Sequence, residues 1–289
     1  MNTILYKMAL LDIDGTLVTT WKSITKQTKN VIKRISDNGV IICLCTGRNV
    51  NSTIPVHRAL RLSTPCMCVD GMVMYDVARR SAIFENALPH GVMSDVLDIV
   101  AQYDVNVEVI TDKRYYWYVK NKNIRGYDFY TQDNNSLLIK LGSIPYKIWF
   151  GVRNIKNLQL VKTKGEKIYE VVAIGAPDQT DAVKAALGGI TTTHGCEVLT
   201  RLLWSNQLFI TAKDVGKSHG LRILCEHFNI KPSEVVAIGD DDNDIDMLKS
   251  AGMGVAMGNA SDAVKNSADF VTRTNNNEGA AFALEEFFL

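Results

Sequence analysis

Two groups of aspartates follow apolar segments directly and have the spacing needed for nucleophilic or metal-assisted chemistry. Asp12 and Asp14, with Gly15 next to them, come after the apolar segment Tyr6–Leu11. Carboxylates at positions i and i+2 of an extended chain project to one side, roughly 6–7 Å apart, so their repulsion favours a bound cation or proton. Because ligands bind at the carboxyl ends of parallel strands, we interpret this pair as functional, with an ordinary Asp-Gly turn as the alternative.

The second acidic group is the run Gly239–Asp244, which carries four carboxylates in five residues after the apolar segment Val235–Ile238. This density of charge favours a hard divalent cation with oxygen ligands. An EF-hand loop is excluded, because Ile245 and Ala251 stand where that loop requires Gly and Glu. The structural alternative is an N-terminal capping cluster for the helix predicted over 244–250.

Thr46, Gly47 and Lys217 are residue types suited to binding phosphate. Thr46 and Gly47 stand where a predicted strand turns into a helix, so their hydroxyl and backbone N–H groups can hold phosphate oxygens. Lys217 can neutralise charge on a transferring phosphoryl group. The sequence Gly216-Lys217-Ser218 is not a P-loop, because that motif requires a second glycine five residues before Gly216, where this chain has Thr211. The run Gly252–Gly258 has one residue too many for a dinucleotide fingerprint.

The composition excludes several classes of protein. The chain of 289 residues is 46% hydrophobic and 22% charged, and its Lys and Arg number 32 against 31 Asp and Glu. That balance is ordinary for a globular protein and creates no net attraction to nucleic acid or to a membrane surface. No apolar run approaches the roughly 18 residues of a membrane span, and the N-terminal segment is too short and acidic for a signal peptide. We expect a cytoplasmic protein, monomeric by default.

The six cysteines include two Cys-x-Cys pairs, Cys43 with Cys45 and Cys66 with Cys68. Both pairs lie in apolar runs, where residues i and i+2 of a strand face the same way. Zinc sites usually space their paired ligands more widely and in loops. We therefore predict buried thiols, with a metal site or a disulfide as the alternative.

The elements that must position these residues form two strand-and-helix segments separated by a different pattern. Apolar strands at 6–11, 40–45 and 66–69 alternate with helices predicted over 23–39 and 50–60. Short apolar strands return after about residue 192, at 207–212, 235–238, 254–257 and 269–271. Alternating apolar strands and helices predict an α/β core with a doubly wound parallel sheet, formed by 1–82 and 192–289.

The middle segment, 83–191, has strands in which polar and apolar residues alternate, as is typical of antiparallel sheets with one wet face. The predicted strands are 106–110, 115–119, 147–152 and 169–174, and the predicted helices are 91–103 and 180–187. A polar connection is predicted over 127–143. We infer a separate α+β domain inserted into the first. The aromatic run 113–118 is interpreted as a packed strand, with a substrate platform as the alternative.

The motifs, taken in order, resemble those of a known superfamily. Asp12–Thr16, Thr46–Arg48, Lys217 and Gly239–Asp244 are similar to the four motifs of the haloacid dehalogenase superfamily. The long insertion between the second and third motifs resembles the larger, C2-type α+β cap of the Cof-type (IIB) sugar-phosphatase branch. This resemblance covers essentially the whole chain. It implies a Rossmann-like core, a cap that controls specificity, and hydrolysis of a small phosphorylated metabolite.

The resemblance also implies a role for each motif residue. Asp12 would be the nucleophile that forms an aspartyl-phosphate, and Asp14 would protonate the leaving oxygen and then activate water. The implied phosphate-binding residues are Thr46, Gly47, Lys217 and Asn243. The implied ligands of Mg2+ are a carboxylate oxygen of Asp12, the backbone carbonyl of Asp14, and Asp240, with Asp244 supporting the metal from behind.

Two alternatives remain open at this level. A phosphomutase uses the same covalent intermediate but shields it from water, and a non-catalytic protein that binds a phosphorylated metabolite could share the fold. The presence of Asp12 and Asp240 favours an enzyme. A cation-pumping ATPase is excluded by Asp14, where those enzymes have Thr. Asp70-Gly71 departs from the Asn-Gly of many relatives, and a carboxylate there could alter cap contacts or substrate preference.

Overall fold

The computed structural model describes residues 6–21, 23–124, 151–194, 196–201, 206–213 and 215–289. Its backbone contacts separate the chain into two compact units. The first comprises Met1–Arg48, Thr53–Glu85 and Asp214–Leu289, and the second comprises Asn49–Ser52 and Asn86–Lys213. Every helix in the described ranges is too short or too polar to cross a membrane.

The first unit is built on a five-stranded parallel sheet. In spatial order its strands are β14 (Phe270–Val271), β13 (Met253–Ala256), β12 (Val235–Gly239), β1 (Met8–Leu11) and β2 (Ile41–Leu44). β1 and β12 are wholly buried, which explains why both are continuous apolar runs. The predicted α/β fold with a parallel core sheet is therefore confirmed.

The strand order of this sheet reverses between β1 and β12. From β1 the chain proceeds to β2 on one side, whereas β12, β13 and β14 extend on the other side. The two central strands are in register, with Leu11 opposite Ile238. Their carboxyl ends therefore lie side by side at a topological switch point, where open α/β sheets bind their ligands.

Helices precede and follow these strands along the chain. They are α1 (Lys26–Asp37), α2 (Val50–Ala59), α6 (Lys217–Phe228), α7 (Ile245–Ser250), α8 (Asp262–Lys265) and α9 (Gly279–Phe288). Helix α1 begins at its N-cap residue Thr25, whose hydroxyl accepts a hydrogen bond from the Thr28 backbone N–H at 3.1 Å. Its buried residues recur with the predicted helical period.

A small antiparallel sheet completes the first unit, with β3 (Cys66–Cys68), β4 (Val73–Asp76) and β5 (Ser81–Glu85). The predicted third strand is confirmed as a strand, but its assignment to the parallel sheet is wrong, because it pairs antiparallel with β4 and is joined to the core by an isolated parallel bridge between Met67 and Cys45. The four cysteines of the two Cys-x-Cys pairs are free and buried, as predicted, and Cys225 is free and buried as well. Burial raises the pKa of the Cys43 thiol to about 12, so this thiol is uncharged at neutral pH.

The second unit contains a six-stranded sheet. Its spatial order is β10 (Cys196–Arg201), β11 (Asn206–Ala212), β9 (Ile168–Gly175), β6 (Asn106–Thr111), β7 (Tyr115–Tyr118) and β8 (Val152–Ile155). All pairs are antiparallel except β7 with β8. Apolar side chains of α3 (His90–Val100), α4 (Gln159–Lys162) and α5 (Pro177–His194) pack on one face of this sheet.

The prediction of a strand at 207–212 is confirmed by β11. Its assignment to the parallel core sheet is wrong, because β11 pairs with β9 and β10 in the six-stranded sheet. The pattern of one strand does not reveal its partner, because pairing depends on residues distant in sequence. The boundaries 82/83 and 191/192 stay predictions. The predicted connection 127–143 and most of the strand 147–152 lie outside the described residues.

Glu108 makes the stability of the second unit depend on pH. It lies on β6 opposite Trp117 of β7. Partial burial raises the pKa of the half-buried Glu108 carboxyl to about 7. Since the folded protein binds this proton more tightly than the unfolded chain, the stabilisation is complete below pH 4.5 and is lost as the pH rises through 7.

We therefore expect Glu108→Gln to raise the free energy of unfolding at pH 8 by on the order of 1–2 kcal/mol, with little gain at pH 4.5. Urea unfolding followed by circular dichroism at both pH values measures the difference. Asp95→Asn, which alters an exposed carboxylate on α3, is the matched control and should have little effect at either pH. Equal effects of Glu108→Gln at both pH values would show that its buried charge is not the cause.

Candidate active site

The acidic residues after β1 and β12 meet at the switch point of the first unit. Gly15 makes the approach possible: with φ at +77°, a Cβ added there would lie 2.0 Å from Oδ2 of Asp240. Any side chain would therefore collide with this carboxylate, besides being strained by its backbone conformation. The glycine after Asp12 and Asp14 thus permits the loop after β1 to lie directly against Asp240.

Lys217, the first residue of α6, joins two of the aspartates. Its ammonium donates to Oδ1 of Asp12 at 2.7 Å and to Oδ1 of Asp244 at 2.6 Å. The side chain of Lys217 is only 1% exposed. Burial lowers its pKa, but the two carboxylates outweigh burial and raise the pKa well above its usual value. Lys217 is consequently a permanent positive charge inside the site.

Asp244 organises the loop after β12 from a fully buried position. Its Oδ2 accepts hydrogen bonds from the backbone N–H groups of Asp240, at 2.9 Å, and Asp241, at 3.0 Å. Because Oδ1 accepts from Lys217, both oxygens of Asp244 already have protein partners. The capping alternative applies to Asp241, which caps the 3-10 helix Asp242–Asp244. The geometry therefore suits Asp244 to supporting a site more than to contacting a substrate.

Asp12, Asp240 and Asp244 form a cluster that can hold a metal ion. One carboxylate oxygen from each lies within 4.8 Å of the others. Burial, together with the charges of Asp244 and Asp240, raises the pKa of Asp12 well above its usual value although Lys217 lowers it. Burial and the charge of Asp244 likewise raise the pKa of Asp240 to about 7. Three carboxylates against one ammonium leave a negative charge that a divalent cation would neutralise.

Asp14 is held by an arginine whose role the sequence did not reveal. Nε of Arg48 donates to Oδ2 of Asp14 at 2.6 Å, and its Nη2 donates to Oδ1 at 2.8 Å. The arginine side chain is 2% exposed, whereas the aspartate side chain is 37% exposed. This two-pronged pairing fixes the orientation of the Asp14 carboxylate. In the sequence, this role of Arg48 is indicated only by its position directly after Thr46 and Gly47.

Thr46, Gly47 and Asn243 converge on Asp70. The Asp70 backbone N–H donates to the Thr46 carbonyl at 3.1 Å, and Nδ2 of Asn243 donates to Oδ1 of Asp70 at 2.9 Å. A Cβ added to Gly47 would lie 3.2 Å from the same carboxylate oxygen. Oδ1 of Asn243 is buried without a hydrogen-bond partner among the described residues. The carboxylate that departs from the Asn-Gly pattern therefore lies among the residues predicted to bind phosphate.

The turn that carries Asp70 is strained. Val69, Asp70 and Gly71 have consecutive φ values of 49°, 47° and 92°. A β-branched residue such as valine rarely adopts this left-handed conformation. The Cβ of any residue at Gly71 would lie 2.2 Å from the Gly216 carbonyl, one residue before Lys217. Strain of this kind persists where surrounding contacts impose it, and it concentrates at functional sites.

Comparisons with known proteins give these contacts a context. A family model described as haloacid dehalogenase-like hydrolase matches residues 9–284. The chain belongs to this family. A 5-amino-6-(5-phospho-D-ribitylamino)uracil phosphatase, YitU of Bacillus subtilis (strain 168), is 30% identical over 295 residues, covering 100% of this chain and 99% of that protein. The predicted resemblance to the superfamily is thereby confirmed.

Two further relatives extend this comparison. A putative phosphatase of Haemophilus influenzae (strain ATCC 51907 / DSM 11121 / KW20 / Rd) is 26% identical over 296 residues, covering 98% of this chain and 99% of that protein. A haloacid dehalogenase-like hydrolase from Bacteroides thetaiotaomicron superposes with a TM-score of 0.76 at 25% identity, over 98% and 100% of the two chains. The subclass IIB sugar phosphatase BT4131 shares the fold, with a TM-score of 0.71 at 22% identity, over 97% and 98%. The chain is thus a hydrolase of the phosphatase type.

Proposed function

We propose that this haloacid dehalogenase-like hydrolase releases phosphate from a small phosphorylated metabolite, with Mg2+ as cofactor and Asp12 as nucleophile. The observation that carries the proposal is the buried contact of Lys217 with Asp12 and Asp244, beside Asp240 at the switch point. A nucleophilic carboxylate must approach an anionic phosphate, and the buried ammonium lowers the repulsion between them. The oxygen donors fit Mg2+, which prefers carboxylate and carbonyl ligands.

The proposed reaction has two displacements. An oxygen of Asp12 forms a bond to phosphorus while the bond from phosphorus to the leaving oxygen breaks, and Asp14 donates a proton to that oxygen. Water then attacks phosphorus and gives its proton to Asp14, while the bond between phosphorus and the Asp12 oxygen breaks, so that inorganic phosphate leaves and the Asp12 carboxylate is restored. Before the first step Asp14 must be protonated, and the two hydrogen bonds that its carboxylate accepts from Arg48 favour the charged form instead.

The roles proposed for the remaining residues follow from the hydrogen bonds they can donate to phosphate and from the oxygen ligands they can offer to a cation. Thr46, through its hydroxyl, and Gly47, through its backbone N–H, are proposed to hold phosphoryl oxygens together with Lys217. The second Nδ2 hydrogen of Asn243 is proposed to do the same, since the first is donated to Asp70. Mg2+ is proposed to be bound by Asp12, by the Asp14 carbonyl and by Asp240, and when bound it supplies charge neutralisation between nucleophile and phosphate. Asp244 would support this set through Lys217 and the loop backbone.

Two substrate classes are proposed. A sugar phosphate is what the resemblance of the inserted domain to the cap of the sugar-phosphatase branch implies. A ribitylamino-pyrimidine phosphate is the second candidate, because YitU is 30% identical along the whole chain and is named for hydrolysing such a compound. A phosphomutase that uses the same intermediate is the alternative reaction.

A substrate panel with and without metal tests the proposal. We expect phosphate release from at least one sugar phosphate or ribitylamino-pyrimidine phosphate in 5 mM Mg2+, its loss by at least about 100-fold after dialysis against EDTA, and its return on adding Mg2+. Phosphate is measured colorimetrically and the recovered organic product is identified by mass spectrometry. The same preparation assayed with Ca2+ controls for non-specific effects of a divalent ion.

Each other outcome of the panel has a distinct meaning. Full activity after EDTA treatment would contradict the metal dependence. An isomerised sugar phosphate without free phosphate would favour the phosphomutase. Binding of a phosphorylated compound without any conversion, in the presence of Mg2+, would favour the non-catalytic alternative.

A further inference from the structure

Asn259 lies beside the acidic cluster, in the loop after β13. Its Nδ2 donates to the Gly15 carbonyl at 3.0 Å and to Oδ2 of Asp240 at 3.2 Å. Its Oδ1 accepts a hydrogen bond from the Asn275 backbone N–H at 2.9 Å. A single amide therefore connects the loop after β1, the loop after β12 and the C-terminal segment, all within the first unit.

The carboxylate of Asp240 is held at both oxygens. Thr16 donates its hydroxyl hydrogen to Oδ1 at 2.9 Å, and Asn259 donates to Oδ2. Each carboxylate oxygen can accept about two hydrogen bonds or ligand contacts. One direction therefore stays available on each oxygen for a cation, while the two donors fix the rotation of the side chain.

The other side of Asn259 is anchored by the 3-10 helix Asn275–Asn277. Beyond its backbone contact with Asn259, Asn275 donates through Nδ2 to the Val18 carbonyl at 2.9 Å. Asn276 exchanges two hydrogen bonds with Thr20, of 3.0 Å and 2.8 Å. This run of asparagines, which has no place among the four motifs, thus holds the loop after β1. Of the asparagines named here, Asn259 is the one that also donates a hydrogen bond to a carboxylate oxygen of Asp240.

We propose that Asn259 is a positioning residue for the divalent cation, fixing the Asp240 carboxylate against the loop after β1. This inference rests on the proposed function, since it presupposes a cation bound by Asp12 and Asp240. Without the amide, the Asp240 carboxylate would keep one donor in place of two and would have to be ordered when the ion binds. Loss of such a partner behind a metal ligand typically weakens metal affinity about 10- to 100-fold.

The test is direct cation binding, which needs no turnover. Mn2+ takes oxygen ligands as Mg2+ does, and its free hexaaquo signal in electron paramagnetic resonance disappears on binding. We expect Asn259→Ala to weaken the Kd for Mn2+ by about 10-fold. Asn276→Ala removes an asparagine of the same loop system whose side-chain hydrogen bonds, among the described residues, are with Thr20 and not with Asp240, and this variant should bind Mn2+ as the unaltered protein does.

A third variant, Asp240→Asn, separates failure of this inference from failure of the proposed function. If Asp240→Asn and the unaltered protein bind Mn2+ equally, the proposed cation site is wrong. If Asp240→Asn loses binding while Asn259→Ala retains full affinity, the cation site stands and the role of Asn259 is overturned. Equal weakening by Asn259→Ala and Asn276→Ala would also overturn it, because general support of the loop would then suffice.

Discussion

Replacing Asp12 by asparagine is expected to lower kcat by at least about 10³-fold while leaving the protein folded. An amide has no anionic oxygen with which to attack phosphorus, so the first displacement cannot begin. The fold should tolerate the change, since Lys217 keeps its contact of 2.6 Å with Asp244. Because burial raises the pKa of Asp12, a neutral side chain also relieves an unfavourable buried charge.

Phosphate release under saturating substrate measures the first effect, and thermal unfolding by circular dichroism measures the second. Asp37→Asn is the matched control, since Asp37 lies on the surface, where its side chain is 61% exposed and pairs with Lys33. That variant should retain full activity. Turnover by Asp12→Asn at the unaltered rate would show that another group attacks phosphorus.

Replacing Lys217 by methionine is expected to lower the free energy of unfolding by about 3 kcal/mol in the absence of metal. Methionine matches the length of the lysine stem but leaves Asp12 and Asp244 buried without their common cation. Removing one partner of a buried ion pair destabilises the folded protein by more than the intact pair stabilises it, because the remaining charge is buried without a counter-ion. Urea unfolding at pH 8 with EDTA present measures the loss.

The matched control is Lys33→Met, which removes a lysine whose side chain is 65% exposed in its pair with Asp37. An exposed pair of this kind contributes about 0.5 kcal/mol at most. Adding Mg2+ should restore part of the stability of Lys217→Met, since the ion neutralises the same carboxylates. An unfolding free energy equal to that of the unaltered protein would contradict the assignment of Lys217 as their essential counter-ion.

The parallel core and the place of its chemistry could be predicted from sequence because both depend on local pattern. Continuous apolar runs such as 8–11 and 235–238 become buried parallel strands, and the carboxyl ends of such strands lie at one edge of the sheet. Aspartates directly after two such runs therefore had to be near each other. The order of the motifs also indicated the haloacid dehalogenase superfamily, and the match of the family model to residues 9–284 confirmed this assignment.

Pairing in the second sheet could not be predicted in the same way. The run 207–212 was recognised as a strand, yet its neighbours β9 and β10 are chosen by contacts on both of its edges. The alternation of polar and apolar residues along a strand indicates which residues share a face of the sheet, but it does not indicate which strand is the neighbour. The sequence consequently grouped this strand with the core segment.

The reactive groups of the candidate site could be identified from the sequence alone, because they stand at or after the ends of predicted strands or at the start of a predicted helix: Asp12, Asp14, Thr46, Lys217 and Asp240. The contacts that hold these groups in place became visible in the three-dimensional fold. Arg48 donates hydrogen bonds to Asp14, which lies 34 residues earlier in the sequence, and Asn259 donates one to Gly15, which lies 244 residues earlier. Contacts over such separations leave no periodicity or spacing along the chain, because they form only when the sheet brings its loops together.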